Sequence, residues 1–188
     1  MGKNRLHGFE DWGKVFEYSE NSNDFYSATV TLNSDENLQQ NTGYNQTDLL
    51  QKFFIPLSTK TDLKLNFQFS TSSDIPRFDR LDEKSEGTLK FAEWYYGPQT
   101  RNMIAYQYQH TFSKGLFNQL DCNINHQQLE ESRHTRKFGN DILQSRTEDV
   151  SVQGLNASLL HLSNRHQWRW GLDLQNNQLQ STAIATDI

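Results

Sequence analysis

The segment Leu63-Lys64-Leu65-Asn66-Phe67-Gln68-Phe69-Ser70 alternates strictly between apolar and polar side chains. Because successive side chains of a β-strand point to opposite faces, this alternation predicts a strand with one apolar and one polar face. The same period of two returns at residues 104–109, 120–125 and 167–174. The sequence therefore predicts an all-β protein.

Four weaker segments bring the number of predicted strands to about eight. They are residues 15–18, 26–32, 48–55 and 148–161. In the last of them Val150 and Val152 are out of phase with Leu155, so we expect a β-bulge near Gly154.

The connections between these strands alternate in length along the chain. The short ones are residues 19–23, 56–60, 113–116 and 162–165, and the long ones are residues 33–47, 71–99 and 130–146. Antiparallel barrels of the outer membrane have short periplasmic turns on one side and long extracellular loops on the other. Strands of about ten residues also suit a tilted bilayer crossing. The pattern therefore predicts an antiparallel transmembrane β-barrel.

Composition supports an ordered sheet with a polar side. The chain is 34% hydrophobic and 12% aromatic, and it holds 17 Asn and 17 Gln against 22% charged residues. A net charge of −5 gives no basic footprint for nucleic acid. The single cysteine excludes an internal disulfide, and no metal-ligand spacing or cofactor motif occurs. No apolar run is long enough for a membrane helix, so any crossing must use strands.

The side chains that alternate with the apolar ones decide the size of the barrel. They are Lys64, Asn66, Gln68, Gln107, Gln109, Asp121, Asn123, Asn125, Gln167, Arg169 and Asp173. Eight strands closed around such a set would crowd polar groups that need partners. We therefore expect about eight strands of a wider barrel. Aromatic residues near the strand ends suit an interfacial girdle, namely Phe112, Phe117, Trp168 and Trp170.

Four stretches resemble the early barrel region of TonB-dependent outer-membrane receptors. They are residues 42–50 (TGYNQTDLL), 70–81 (STSSDIPRFDRL), 92–99 (AEWYYGPQ) and 170–173 (WGLD), and the resemblance extends over about residues 26–182. Receptors of this family are 22-stranded barrels filled by an N-terminal plug. They take up iron chelates, haem, cobalamin or carbohydrates with energy passed on by TonB.

The resemblance implies that residues 1–188 form one partial barrel domain, without the plug and the remaining strands. The expected location is the bacterial outer membrane, and the expected role is transport and not catalysis. An iron chelate or haem is the first expected ligand, and cobalamin is next. The expected partners are outer-membrane lipid, the receptor's own plug and, through that plug, the TonB complex.

The long loop at residues 71–99 holds most of the candidate ligand-binding residues. Guanidinium groups could pair with chelate oxygens and aromatic rings could stack on a ligand. The structural alternative, which we favour, is that ion pairs pin the loop and the aromatics anchor it at the membrane boundary. The candidates are Arg77, Asp79, Arg80, Trp94, Tyr95 and Tyr96, with His134 added from the charged segment 130–137.

Two other classes of function stay open. A soluble extracellular β-sheet protein could bind a polar ligand such as a glycan through stacking aromatics. A hydrolase could pair Asp79 or Asp82 with Glu93 as acid and base, although exposed loops often hold several carboxylates. The first of these is the main alternative to a transport protein.

Overall fold

The computed structural model describes residues 14–18, 28–32, 35, 39, 42–81 and 83–187. Strands β1 (Lys14–Tyr18) and β2 (Ala28–Leu32) pair antiparallel as a two-stranded sheet. They confirm the strands predicted at residues 15–18 and, from Ala28 onward, at 26–32. The connection predicted at residues 19–23 and residues 33, 34, 36–38, 40 and 41 of that predicted at 33–47 lie outside the described residues.

The remaining elements form one large antiparallel sheet, a small hairpin and one short helix. In chain order they are β3 (Gln46–Ser58), β4 (Thr61–Ser72), β5 (Ile75–Pro76), α1 (Phe78–Leu81), β6 (Lys84–Ser85), β7 (Thr88–Leu89), β8 (Phe91–Tyr96), β9 (Thr100–Thr111), β10 (Gln119–Lys137), β11 (Ile142–Leu162) and β12 (Gln167–Asp187). The prediction of an all-β fold with an antiparallel sheet is confirmed.

The large sheet has eight strands, and its main path runs β3, β4, β9, β10, β11, β12. Strand β8 pairs with β10 beyond the end of β9, and β5 pairs with β8. Along the main path, β3 and β12 are the outermost strands. Within the described part of the chain, each of these two strands has one edge without a strand partner.

Short connections join β3 to β4, β9 to β10 and β11 to β12 at one end of the sheet, which we name the turn end. The opposite end, named the loop end, carries the excursion at residues 73–99 and the link between β10 and β11. Residues 73–99 are not a plain loop, because they contain β5 to β8 and the single turn of α1.

The predicted long loop at residues 130–146 is wrong. Strands β10 and β11 continue through it and pair without interruption up to Arg136 and Leu143, so that only residues 138–141 remain as a turn. Gly139 takes a φ of 75° in this turn, in the left-handed region that glycine adopts without strain. The charge run obscured the strands because neither face has an apolar set here.

The bulge predicted near Gly154 is also wrong. The ladders of β11 with β10 and with β12 show no register shift at this residue. Val150 and Val152 lie on the polar side of the sheet, where Val150 is flanked by Leu129 and Leu179. The face that carries apolar residues therefore changes along the strand, and no residue is inserted.

Few side chains are buried. The buried hydrophobic residues are Phe78, Leu81, Ala92, Trp94, Ala105 and Leu160, and four of these belong to α1 and β8. The main core is thus a small cluster at the loop end, while the long strands keep large apolar side chains exposed. No helix among the described residues is both long and apolar enough to span a bilayer.

Because Gly154 has no side chain, the side chain of its cross-strand partner Asn125 can lie over it. A Cβ at Gly154 would lie 2.6 Å from Asn125 Nδ2, whereas a Cβ at Gly171 would lie 3.6 Å from the nearest atom, Ala157 O. The atoms that a Cβ at Gly154 would meet all belong to the amide of the half-buried Asn125 side chain, which can turn away, so we expect Gly154→Ala to lower the free energy of unfolding by at most about 1 kcal/mol. Gly171→Ala is the matched control and should change it by less than about 0.5 kcal/mol. Urea denaturation followed by circular dichroism measures both, and equal effects would contradict this account.

Candidate functional site

The large sheet has one apolar and one polar face, and the register defines both. The row of cross-strand partners through Leu65 contains Phe53, Tyr106, Ile124, Leu155 and Leu174. The next row, through Leu63, contains Ile55, Tyr108, Cys122, Ala157 and Leu172. Ile124 is 53% exposed and Leu174 is 52% exposed, so these rows form an uncovered apolar surface. We call this side the apolar face.

The opposite side, the polar face, carries the whole alternating polar set predicted from the sequence. One of its rows contains Lys64, Gln107, Asn123, Asn156 and Asp173. Asn156 Nδ2 donates to Asp173 Oδ2 over 3.3 Å. Arg169 Nη1 donates over 3.1 Å to Ser158 Oγ and over 3.4 Å to Asp121 Oδ2. Polar groups on this face therefore pair with each other across strands.

Aromatic rings collect at the turn end. The rings of Trp168 and Trp170 stack with centroids 6.3 Å apart, and Phe117 meets Trp170 edge to face at 5.5 Å. Phe112 packs edge to face against His110 at 4.8 Å. All four aromatics of the predicted girdle thus lie at the same end of the sheet, two of them in the turn between β9 and β10 and two at the start of β12.

At the loop end, the excursion folds over the polar face. Trp94 and Tyr96 share this face because they pair with Thr135 and Arg133 of β10. The guanidinium of Arg77 lies 5.4 Å from the Trp94 ring centre and 5.5 Å from that of Tyr96. Both distances are within the range of cation–π attraction. The segment around α1 is therefore fixed by stacked arginine and aromatic groups to β8, which in turn pairs with β10.

Each of the two arginines of the excursion forms an ion pair with a nearby carboxylate. Arg77 donates from Nε and Nη2 to the two oxygens of Asp79, at 2.7 and 2.6 Å, and Arg80 Nη1 donates to Glu83 Oε1 at 2.5 Å. The two hydrogen bonds from Arg77 are the main cause that lowers the pKa of Asp79. The structure thus brings Arg77, Asp79, Arg80, Trp94 and Tyr96 together. Both ion pairs form within residues 77–83, and the contacts that connect this segment to β8 are those of the two arginines with the Trp94 and Tyr96 rings.

Tyr95 and His134 lie apart from this group, on the other side of the sheet. They are cross-strand partners whose rings stack at 4.7 Å. His134 Nε2 lies 3.0 Å from Ser132 Oγ and its Nδ1 lies 2.8 Å from Ser145 Oγ. Both ring nitrogens are therefore hydrogen-bonded, and His134 joins β8, β10 and β11. Burial raises the pKa of Tyr95, and the nearby charge of Glu93 adds to this effect.

Gly97 leaves room for this histidine network. Its N–H donates to Ser132 O over 2.9 Å, and a Cβ there would touch Ser132 Oγ and approach within 2.8 Å of His134 Nε2. The Ser132, His134 and Ser145 side chains form a fixed hydrogen-bond chain. Because the N–H of Gly97 already donates to Ser132 O, it is not available to stabilise an oxyanion beside this hydrogen-bond chain.

Two arginines were not among the predicted site residues. Arg133 and Arg146 are direct cross-strand partners on the polar face, and both are exposed. Their pairing depends on β10 and β11 continuing through residues 130–146, where the sequence pattern predicts a loop. The charge run itself was visible in the sequence, but the register that opposes the two guanidinium groups was not.

Comparison with known proteins adds no relative, since no family model, curated protein or solved structure matches this chain. Among the described residues, no three or more His, Cys, Asp and Glu side chains lie together in a group that could hold a metal ion. The candidate site therefore rests on the geometry of the two faces and of the loop end.

The ion pair of Arg77 with Asp79 should control the opening of the excursion. Asp79→Asn removes the charge that holds Arg77, and we expect amide hydrogen exchange at residues 77–96 to become up to roughly fivefold faster, as for an exposed pair worth up to about 1 kcal/mol. Asp74→Asn is the matched control in the same excursion and should leave these rates unchanged.

The same pair gives a pH dependence with a definite sign. The folded pKa of Asp79 is lowered, so its stabilisation is present above the unfolded value of about 3.9 and is lost as the pH falls through the folded pKa. We expect exchange in the native chain to show this loss, after correction for intrinsic rates, and Asp79→Asn to lack it. An identical pH profile in both proteins would rule out the role assigned to this pair.

Proposed function

We propose that this chain forms part of the barrel wall of an outer-membrane TonB-dependent receptor, which takes up a scarce nutrient. An iron chelate or haem is the first candidate ligand and cobalamin the next. The observation that carries the membrane assignment is the shape of the apolar band, the set of consecutive apolar rows on the apolar face. Both of its limits lie lower on β12 than on β4.

The band is slanted relative to the strands. It runs from Leu63 to Phe69 on β4 and from Trp168 to Leu174 on β12. The row of Phe69 reaches β12 at Gln178, and the row of Leu63 reaches it at Leu172, so each limit lies four residues lower on β12. The band therefore spans four rows on each of these two strands, and its position differs between them by four residues.

This slant gives a strand tilt. Four residues correspond to roughly 13 Å along a strand, and the four steps from β4 to β12 correspond to roughly 19 Å across the sheet. A band that lies level in a membrane would therefore require strands tilted by about 35°, within the range of about 35–45° for outer-membrane barrels. A soluble sheet packed on its own core has no need for such a level band.

Further features support the same assignment. The stacked aromatics lie at the turn end, where a barrel has its periplasmic interface. The polar face suits a hydrated lumen or a plug, and the free edges of β3 and β12 would pair with the remaining strands of a 22-stranded barrel. The resemblance of residues 42–50, 70–81, 92–99 and 170–173 to early receptor strands supports the TonB-dependent type.

On this proposal the chain binds and passes a solute and performs no catalytic step. Outer-membrane lipid would contact the apolar face, the plug would contact the polar face, and the TonB complex would act through that plug. The excursion pinned by Arg77 and Asp79 would lie at the extracellular mouth, above the lumen.

Cys122 offers a direct test, because it is the single cysteine and lies in the middle of the apolar band. We expect a nitroxide label on Cys122 of the full chain in lipid bilayers to collide more with oxygen than with a water-soluble nickel chelate. In the matched variant Cys122→Ala with Asn123→Cys, the label faces the polar side and the order should reverse. Equal accessibility at both positions, or a chain that is monodisperse without detergent, would favour a soluble sheet and overturn the membrane assignment.

A charge on the apolar face should weaken membrane binding. We expect Leu172→Lys to reduce co-flotation of the chain with phospholipid vesicles by an amount corresponding to about 2–4 kcal/mol, as for a lysine near the bilayer midplane. Asp173→Lys places the same charge at the next residue, on the polar face of the sheet, and this variant should bind vesicles as the native chain does. Equal losses in the two variants would argue against a lipid-facing side.

A further inference from the structure

The arginine pair at the loop end stands apart from the other arginines of the long strands and the excursion. Arg77, Arg80, Arg101, Arg136 and Arg169 each donate to a carboxylate or an amide oxygen. Within the part of the chain that the structure describes, Arg133 and Arg146 make no ion pair and no side-chain hydrogen bond. Their guanidinium donors are thus open to solvent.

The register opposes these two charges directly. Like charges at directly opposite positions of an antiparallel ladder destabilise the sheet. Arg133 and Arg146 occupy such positions on the polar face, and the next partner in their row is Tyr96 of β8. The two guanidinium groups lie side by side, and their N–H donors match the oxygens of an acidic group. A bound anion would also reduce the repulsion between the two arginines.

Tyr96 adds an oriented donor to the same row. Arg77 Nη1 donates to the Tyr96 hydroxyl oxygen over 3.3 Å. Since that oxygen acts as the acceptor, the hydroxyl proton is free to be donated toward a ligand. The ring is held in place by the Arg77 guanidinium and by Trp94, whose ring centre lies 4.9 Å away. The row therefore combines two cations with a hydroxyl-bearing side chain whose ring is held in place and which lines the same cleft.

A cleft of about 240 Å³ contains the pair, lined by Tyr96, Glu131, Ser132, Arg133, Arg146 and Glu148. It is smaller than a pocket for a whole drug-sized ligand, which measures about 300–1,000 Å³, so it suits one functional group. Glu131 and Glu148 are also direct partners and lie one row below, roughly 7 Å along the strands. Their negative charges balance the positive charges of the two arginines, so an anion is attracted only where it directly contacts the guanidinium groups.

We propose that Arg133, Arg146 and Tyr96 bind one carboxylate group of a small-molecule ligand on the polar face. The geometry of this site depends on the strand register alone. Only its position along a ligand pathway rests on the proposed function. It favours an acidic ligand for the receptor over a neutral one. The carboxylates of Glu131 and Glu148 repel the bound carboxylate and therefore limit the affinity of the site.

Malonate serves as the probe, with neutral malonamide as its control. Isothermal titration calorimetry of the full chain, refolded in detergent micelles at low ionic strength, should show saturable malonate binding and no malonamide binding. Arg133→Gln with Arg146→Gln should weaken it by about tenfold or more, because charge-assisted hydrogen bonds are lost. Arg165→Gln, in the turn between β11 and β12, should bind as the native chain does.

Glu131→Gln with Glu148→Gln should tighten malonate binding, because the opposing charges are removed. Circular dichroism confirms that each variant is folded before titration. Native-like binding in the double arginine variant, or no saturable binding by the folded native chain, would overturn the site. Lipid is absent from this titration, so failure here leaves the label test at Cys122 unaffected, and failure of that test leaves the site intact.

Discussion

Continuous antiparallel pairing across β4, β9, β10, β11 and β12 is the constraint on which the rest of the structure depends. Partners in neighbouring strands share a face, so a slip of one residue in any ladder would exchange apolar for polar side chains. No such slip occurs in these four ladders. Backbone hydrogen bonds thus hold five separate strands to a common division of faces, and the side chains on each face stabilise that register in return.

Strict alternation was enough to predict both faces wherever the two sides of the sheet differ in chemistry. The segment from Leu63 to Ser70 is the clearest case, and its partners in β9 and β10 follow it. The signal disappears in residues 130–146, because polar groups occupy both sides there while backbone pairing continues. At Val150 and Val152 the change of phase indicates a bulge only if one face of the strand is apolar along its whole length, whereas in β11 the apolar side changes and the register does not.

The candidate site could be predicted only in part. Residue types and proximity in sequence indicated the ion pairs of the excursion, and Asp79 and Glu83 are the partners of its two arginines. The division of the aromatics could not be foreseen, because it requires β8 to be a strand, which sends Tyr95 and its neighbours to opposite sides. The contact of Tyr95 with His134 and the opposition of Arg133 and Arg146 depend on long-range register, which local patterns do not encode.

The unequal lengths of the strands have a consequence for access. Beyond the apolar band, β4 ends at Ser72, three residues after Phe69, whereas β12 continues from Leu174 to Asp187. The second overhang measures roughly 40 Å along the strand. In the proposed orientation, β10 to β12 would form a high rim on one side of the mouth, whereas above β4 and β9 the mouth would be bordered by the excursion. Solutes that approach over β10 to β12 would meet paired strands, and solutes that approach over β4 would meet the excursion, so its opening would decide access on that side.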